Sequence, residues 1–256
     1  MKTLAVIPAR LESTRFPGKP LALLAGRPIL QHVWEAVRRS NRADRIVVAT
    51  DSEEIAACAR AFGAEVARTR ADHATGSDRV AEVASKLGAG FDAVVNVQGD
   101  QPRLAPEAVA EAIRILALDP MTPVTTVAAL DGDQSAYESP HVVKVVCDLE
   151  ERALFFSRAP VGGAEDGAGV WRFRHHLGVY AFRPEVLGAF ASWAPSPLER
   201  GEKLEQLRLL EHGIRIRVAL VRQVSRGVDT PEDLAALERF AAPGAAGPTR
   251  KPSEVS

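Results

Sequence analysis

The segment Pro8-Ala9-Arg10-Leu11-Glu12-Ser13-Thr14-Arg15-Phe16-Pro17-Gly18-Lys19-Pro20 follows a short apolar run and holds two arginines, a lysine, two hydroxyls and a glycine. Backbone N–H groups and three cations in one loop can cradle a polyphosphate. By composition alone the same residues equally make a solvated basic turn. Their spacing matches neither GxGxxG nor GxxxxGK[ST], so the usual dinucleotide and P-loop cradles do not apply. A second group, Asn96-Val97-Gln98-Gly99-Asp100-Gln101-Pro102, also ends an apolar run. There an amide and a carboxylate stand beside a glycine that permits close backbone approach. A third, Gly227-Val228-Asp229-Thr230-Pro231, sets Asp229 just ahead of a helix start. Each aspartate alone is a common turn former. Two aspartates converging from separate strand ends, completed by water and phosphate oxygens, are the sparse all-oxygen set that Mg2+ prefers. Together with the cationic loop they point to metal–nucleotide chemistry.

Other polar groups stand inside apolar patterns. His175 and His176 open the run Leu177-Gly178-Val179-Tyr180, where a histidine is commonly a satisfied core residue. Glu205 and Gln206 fall within Pro197 to Glu211, read as one helix whose leucines at 198, 204, 207, 209 and 210 cover nearly its whole circumference. Such a helix is expected to be buried, and its acid then needs a partner or a ligand.

These groups need elements to hold them. Thr3 to Ile7, Arg45 to Thr50 and Phe91 to Val97 read as strands buried on both faces, as in a parallel sheet. Helical patterns cover Pro28 to Ser40, Ser52 to Phe62, Ser77 to Leu87 and Pro106 to Leu118. The expected order, β-α-β-α-α-β-α, signals a doubly wound α/β fold, and the basic loop then lies at a carboxyl end of a strand, where such sheets bind ligands. From Pro123 the patterns become strand-like: Val124 to Leu130, Val142 to Cys147, Leu177 to Phe182 and Arg215 to Val221, with a Gly-rich loop from Gly162 to Gly169. Ser196-Pro197-Leu198-Glu199 and Thr230-Pro231-Glu232-Asp233 each put a hydroxyl at N-cap, proline at N1 and an acid at N3. Gly88-Ala89-Gly90 precedes a strand and reads as a turn. One domain over residues 1–240 is expected, with a flexible tail over 241–256.

At 256 residues and 46% hydrophobic content the chain can fill a sizeable core. Its 32 basic and 33 acidic residues leave a net charge of −1, so no global field favours nucleic acid or an anionic membrane, and neither is an expected partner. Aromatics at 5% suit helices on a sheet better than an all-β sandwich. The start lacks a signal-peptide pattern, and Cys58 and Cys147, with no CxxC spacing, read as buried free thiols; a cytoplasmic location fits.

IPARLESTRFPGKPL, ATGSDR, VNVQGDQP, LFFSRA, HLGVY, SPLERGEKLEQLR and VDTPEDL occur together and in order. To about Phe240 the chain resembles the bacterial cytidylyltransferases of 3-deoxy-manno-octulosonate (Kdo), the CMP-Kdo synthetases. The resemblance implies a Rossmann-like three-layer α/β/α fold with a mostly parallel central sheet. It also implies a smaller antiparallel dimerisation excursion, with sugar-binding and dimerisation elements in about residues 123–225 of a homodimer. It implies that Ala9, Arg10, Arg15 and Lys19 hold the CTP phosphates, Arg10 and Lys19 opposing charge at the reacting phosphorus. Thr75, Gly76, Ser77 and Arg79 would read cytosine and its surroundings. Asp100 and Asp229 would bind Mg2+, and Gln98, Arg158, His176, Tyr180, Glu205 and Gln206 the sugar, with Arg158 or His176 facing its carboxylate. The implied reaction is in-line attack of the anomeric hydroxyl of Kdo on the α-phosphorus of CTP, without a protein nucleophile, supplying lipopolysaccharide assembly. Because that hydroxyl is hindered and weakly nucleophilic, a second Mg2+ lowering its pKa is a further expectation. Alternatives are another sugar nucleotidyltransferase, such as a CMP-sialate synthetase, and a non-catalytic nucleotide-binding module. Gln101, His175 and Arg200 depart from residues common in the family, which leaves Kdo and its 8-amino analogue both open.

Overall fold

The computed structural model describes residues 1–12, 16–87, 90–165, 169–225, 227–228 and 230–241. The strands are β1 (Thr3–Pro8), β2 (Leu23–Leu24), β3 (Arg27–Pro28), β4 (Arg45–Thr50), β5 (Glu65–Arg68), β6 (Ala93–Val97), β7 (Val124–Asp131), β8 (Lys144–Cys147), β9 (Ala153–Ser157), β10 (Ala164–Glu165), β11 (Trp171–Phe182) and β12 (Ile216–Val221). The helices are α1 (Ile29–Arg39), α2 (Glu53–Ala61), α3 (Gly76–Leu87), α4 (Pro106–Leu118), α5 (Gln134–Glu138), α6 (Pro184–Ser192), α7 (Pro197–Glu202), α8 (Leu207–Glu211) and α9 (Pro231–Ala241).

The main path of the sheet runs β12-β7-β11-β6-β1-β4-β5. Neighbours pair in parallel except at β11, which runs antiparallel to both β7 and β6. β1 is buried along its whole length, and its period-two alternation sends Ala5 and Ile7 into one core and Leu4 and Val6 into the other. α1, α2 and α4 cover the first face, and α3, α6 and α8 the second. α1 does so with Ile29, Leu30, Val33, Trp34 and Val37, a stripe at helical spacing. The expected three layers and antiparallel excursion are therefore present, the latter built by β8, β9 and β10 against β11.

The structure adds α5, α6 and the short strands β2, β3 and β10 to the expected elements, and departs from the expected order in three further places. A strand, β5, intervenes between α2 and α3 and pairs with β4 at the sheet edge. Its sequence, Glu65-Val66-Ala67-Arg68, has a charge at each end and stays half exposed, so it carries no apolar run to betray it. β9 was likewise not expected. The helix read over Pro197 to Glu211 is broken in two, because Lys203 adopts a left-handed conformation (φ 58°) that ends α7. Leu198 is consequently exposed, while Leu204, Leu207 and Leu209 are buried. Both expected hydroxyl caps form. Ser196 and Glu199 make a capping box, and Thr230 and Asp233 exchange backbone-to-side-chain bonds at 2.9 and 3.2 Å. Cys58 and Cys147 are free but half-buried rather than buried. The Gly88-Ala89 part of the expected turn and the tail from 242 lie outside the described residues.

Candidate functional site

β1 passes to β4 on one side of the sheet and has β6 as its other neighbour, so the loops leaving the carboxyl ends of β1 and β6 diverge around a crevice. That crevice opens into two cavities. One of about 1130 Å³ is lined by Pro8, Ala9, Arg10, Lys19, His73, Gly76, Arg79 and Gly99 among others. The second, of about 1030 Å³, is lined by Arg158, His175, His176, Tyr180, Glu205 and Gln206 among others. Arg10, Thr75, Gln98 and Asp100 line both, so a group passing between ligands in the two cavities must cross these four side chains.

Gly99 makes the junction possible: a Cβ there would lie 3.0 Å from the Pro8 carbonyl oxygen. Lys19 Nζ donates to Asp100 Oδ2 at 2.9 Å, bridging the basic loop to the end of β6. The Val228 N–H donates to the Asp100 carbonyl at 2.9 Å, so the residue preceding Asp229 is in backbone contact with Asp100. Asp229 and Arg15 themselves lie outside the described residues. Hard oxygen donors on Asp100, beside a loop that collects cations, fit Mg2+ better than a soft metal.

The nucleotide-side residues divide by what already occupies them. The Ala9 N–H donates to Ala49 O at 2.9 Å, so Ala9 lines the cavity with its amide already engaged in the sheet. Arg10 is exposed on the shared rim. Thr75 caps α3 by exchanging bonds with Asp78, at 3.0 and 3.1 Å, and Gly76 lies against Gln98. Arg79 and Ser77 are structural as they stand. Buried Arg79 joins Asp51 at 3.2 Å and donates to Thr69 Oγ1, tying α3 to the ends of β4 and β5. Ser77 accepts from Asn96 Nδ2 at 3.0 Å and donates to Glu205 Oε1 at 2.8 Å, linking the two cavities from beneath.

On the second side, β11 bulges between His176 and Tyr180 around Gly178 (φ 67°), whose Cα faces Gln98 and Gln101. Gln101 Nε2 pins the bulge by donating to Leu177 O at 2.7 Å. Burial raises the pKa of Glu205, against the opposing hydroxyls of Ser77 and Thr75, and burial with Glu205 nearby raises that of Tyr180. Three residues lining this cavity carry buried polar atoms without a hydrogen-bond partner among the described residues, Gln101 Oε1, Gln206 Nε2 and Ser225 Oγ, while Glu205 and Tyr180 meet the hydroxyls of Thr75 and Thr126. Each such group costs about 1–3 kcal/mol if left unpaired, and the cavity wall itself is rich in polar side chains, among them Gln98, Arg158, Glu205 and Gln206.

The two histidines have separate fates. His175 Nδ1 meets buried Asp131 at 3.0 Å and is a satisfied core residue. His176 packs against Phe156 and Tyr180 and shares a 2.9 Å bond with Thr126 Oγ1. Burial, with His175 beside it, pushes its pKa down to about 3, so it is neutral at pH 7. The cations lining this cavity are then Arg10, Arg158, Arg200 and Lys203. An unfolded chain protonates this imidazole near 6.5, and the folded one only near 3. The unfolded state thus holds the extra proton across that window, and stability falls as pH drops below 6.5. We expect this residue to remove about 2 kcal/mol between pH 7 and pH 5. Urea unfolding of His176→Gln should lose less over that interval than wild type; an equal loss would contradict the assignment.

The sequence reading did not single out the 139–143 loop, Lys203 or Ser225, all of which line the second cavity. The one available signal was Lys144, a charge inside the run Val142-Val143-Lys144-Val145-Val146.

Fold and site together define a nucleotide-handling α/β protein with a second, polar ligand cavity joined to the first. A family model described as cytidylyltransferase matches residues 4–216. The chain is 47% identical to a 3-deoxy-manno-octulosonate cytidylyltransferase of Syntrophobacter fumaroxidans, over 96% of this chain and 100% of that one. It is also 47% identical to the enzyme of the same name from Pseudomonas syringae pv. syringae, over 92% and 96%. A solved structure of a CMP:2-keto-3-deoxy-manno-octonic acid synthetase complexed with CTP is similar, with 37% identity, a TM-score of 0.86 and coverage of 94% and 99%. The chain belongs to the cytidylyltransferase family.

Proposed function

We propose that this chain transfers CMP from CTP to the anomeric hydroxyl of Kdo, releasing pyrophosphate and giving CMP-Kdo for lipopolysaccharide assembly. The observation that carries the reading is the pair of joined cavities: a cation-lined one beside the β1 loop, and one walled by polar side chains, Gln98, Arg158, Tyr180, Glu205 and Gln206, suited to a polyhydroxylated acid. The named relatives at 47% identity support the same substrates. CTP enters beside Arg10 and Lys19, which oppose the charge developing on the phosphates. Gln98, Tyr180, Glu205 and Gln206 orient the sugar, and Arg158 meets its carboxylate. Catalysis is then chiefly positioning and charge stabilisation, with no protein nucleophile. Asp100 and Asp229 would hold Mg2+, which supplies Lewis-acid stabilisation of phosphate oxygens when bound. No helix among the described residues is long and apolar enough to cross a membrane. Exposed Leu149, Leu154 and Val170 on or beside the antiparallel excursion favour a homodimer through that face, testable by light scattering.

Pyrophosphate release from CTP, measured in parallel with Kdo and with sialic acid, tests the reading. Release with Kdo is expected; release only with sialic acid, or none, overturns it. In the same assay Gly99→Ala should lower kcat/KM by about tenfold to a hundredfold, because its Cβ forces the Pro8 and Asp100 strand ends apart. Unchanged kinetics would show that this close approach does not govern the geometry.

A further inference from the structure

Lys144 is fully buried and has no part in the reaction outlined above. It pairs across to Ser157 in β9 and His175 in β11. Its Nζ donates to Ser139 O at 2.7 Å, Val142 O at 2.9 Å and Arg158 O at 2.7 Å. Three acceptors require three hydrogens, which only the ammonium form carries. All three acceptors are neutral backbone carbonyls, so the charge they solvate is not cancelled by them.

The same three residues form part of the wall of the sugar-side cavity. Arg158 is tied back to that wall a second time, with Nη1 donating to Pro140 O at 3.0 Å and Nε to Glu202 O at 3.2 Å. The 139–142 loop and Arg158 are thus cross-linked once through each cation. Burial and the neighbouring Arg158 both push the Lys144 pKa down, and the Glu202 carboxylate, which accepts from the Arg158 N–H at 3.2 Å, is the anion nearest this pair. A buried charge is weakly screened by salt and acts on a ligand that it does not touch.

We propose that Lys144 is a positioning residue for carboxylate recognition. It fixes Arg158 and the 139–142 loop and adds a second positive charge behind Arg158, so that the cavity favours an acidic sugar over a neutral one. The proposal rests on the Kdo reading above. Wild-type pyrophosphate release with CTP and Kdo, run in the same series, separates a failure of that reading from a failure of this proposal.

The test is steady-state kinetics of Lys144→Met, nearly isosteric and uncharged. KM for Kdo should rise about tenfold or more, as expected for losing hydrogen bonds to a charged group. kcat and KM for CTP should hold within about threefold, a split that general loss of structure would not produce. Because Lys144 acts in part by holding Arg158, adding Lys144→Met to Arg158→Met should raise KM for Kdo by clearly less than it does alone. Should Lys144→Met not fold, Lys144→Arg carries the test: it keeps the charge but presents a planar fork in place of three radiating N–H bonds, and an intermediate rise is expected. An unchanged KM for Kdo in a folded variant, an equal rise in both KM values, or full additivity with Arg158→Met would overturn the proposal.

Discussion

Asp100→Ala should lower kcat by at least about a hundredfold to a thousandfold, while the protein remains folded and soluble. Its carboxylate stands on the rim common to both cavities and is held by Lys19 at 2.9 Å. Removing a group that stabilises transition-state charge typically costs about 2.7–4 kcal/mol of barrier. The substitution also removes one anionic partner of Lys19, so KM for CTP should stay level or fall, because less negative charge then faces the phosphates. A binding role alone would give the opposite pattern, a raised KM with kcat intact. Near-normal turnover in the variant would refute Asp100 as the metal-binding carboxylate.

Arg208→Met should produce the largest loss of stability, about 3–5 kcal/mol, because it strands a buried carboxylate. Arg208 and Glu199 form a two-point pair at 2.6 and 2.7 Å, and both are almost wholly buried. The guanidinium also donates to Phe190 O and Trp193 O and lies 4.4 Å over the Phe190 ring. It therefore ties together α6, α7 and α8, and with them the corner that presents Glu205 and Gln206. Glu199→Gln combined with Arg208→Met should recover part of the loss, since no unpaired charge is then left. A loss below about 1 kcal/mol in urea unfolding of the single variant would show that the carboxylate finds another partner or water.

The parts of this molecule that can be read from its sequence are those with a strong local signal. β1, β4 and β6 are apolar runs with defined ends, and four helices follow from their stripes and caps to within a residue or two. β5 has only Val66 and Ala67 between charges, and its existence depends on the neighbouring β4. The break at Lys203 has only the isolated Gly201 as a local signal. Five leucines satisfy a continuous helix on paper, and only the burial of Arg208 on Glu199 favours the corner.

The site divides in the same way. Chemistry-bearing residues at strand ends, such as Arg10, Lys19, Gln98 and Asp100, stand together where the sheet topology requires. Side chains whose role depends on a distant partner do not announce it. Arg79 is held by Asp51, Ser77 by Glu205 and His175 by Asp131, each across a separation in sequence that no spacing rule covers. Lys144 was visible as a charge in an apolar run, but its three carbonyl partners arise only once β8, β9 and the 139–142 loop close on one another.

A crystal structure with CTP, Mg2+ and Kdo tests the account most directly. It should show the α-phosphorus at the rim shared by Arg10 and Asp100, one divalent ion held by carboxylate oxygens of Asp100 and Asp229, and the sugar among Arg158, Tyr180, Glu205 and Gln206. A triphosphate bound away from the β1 loop, or an ion that neither aspartate reaches, would contradict it.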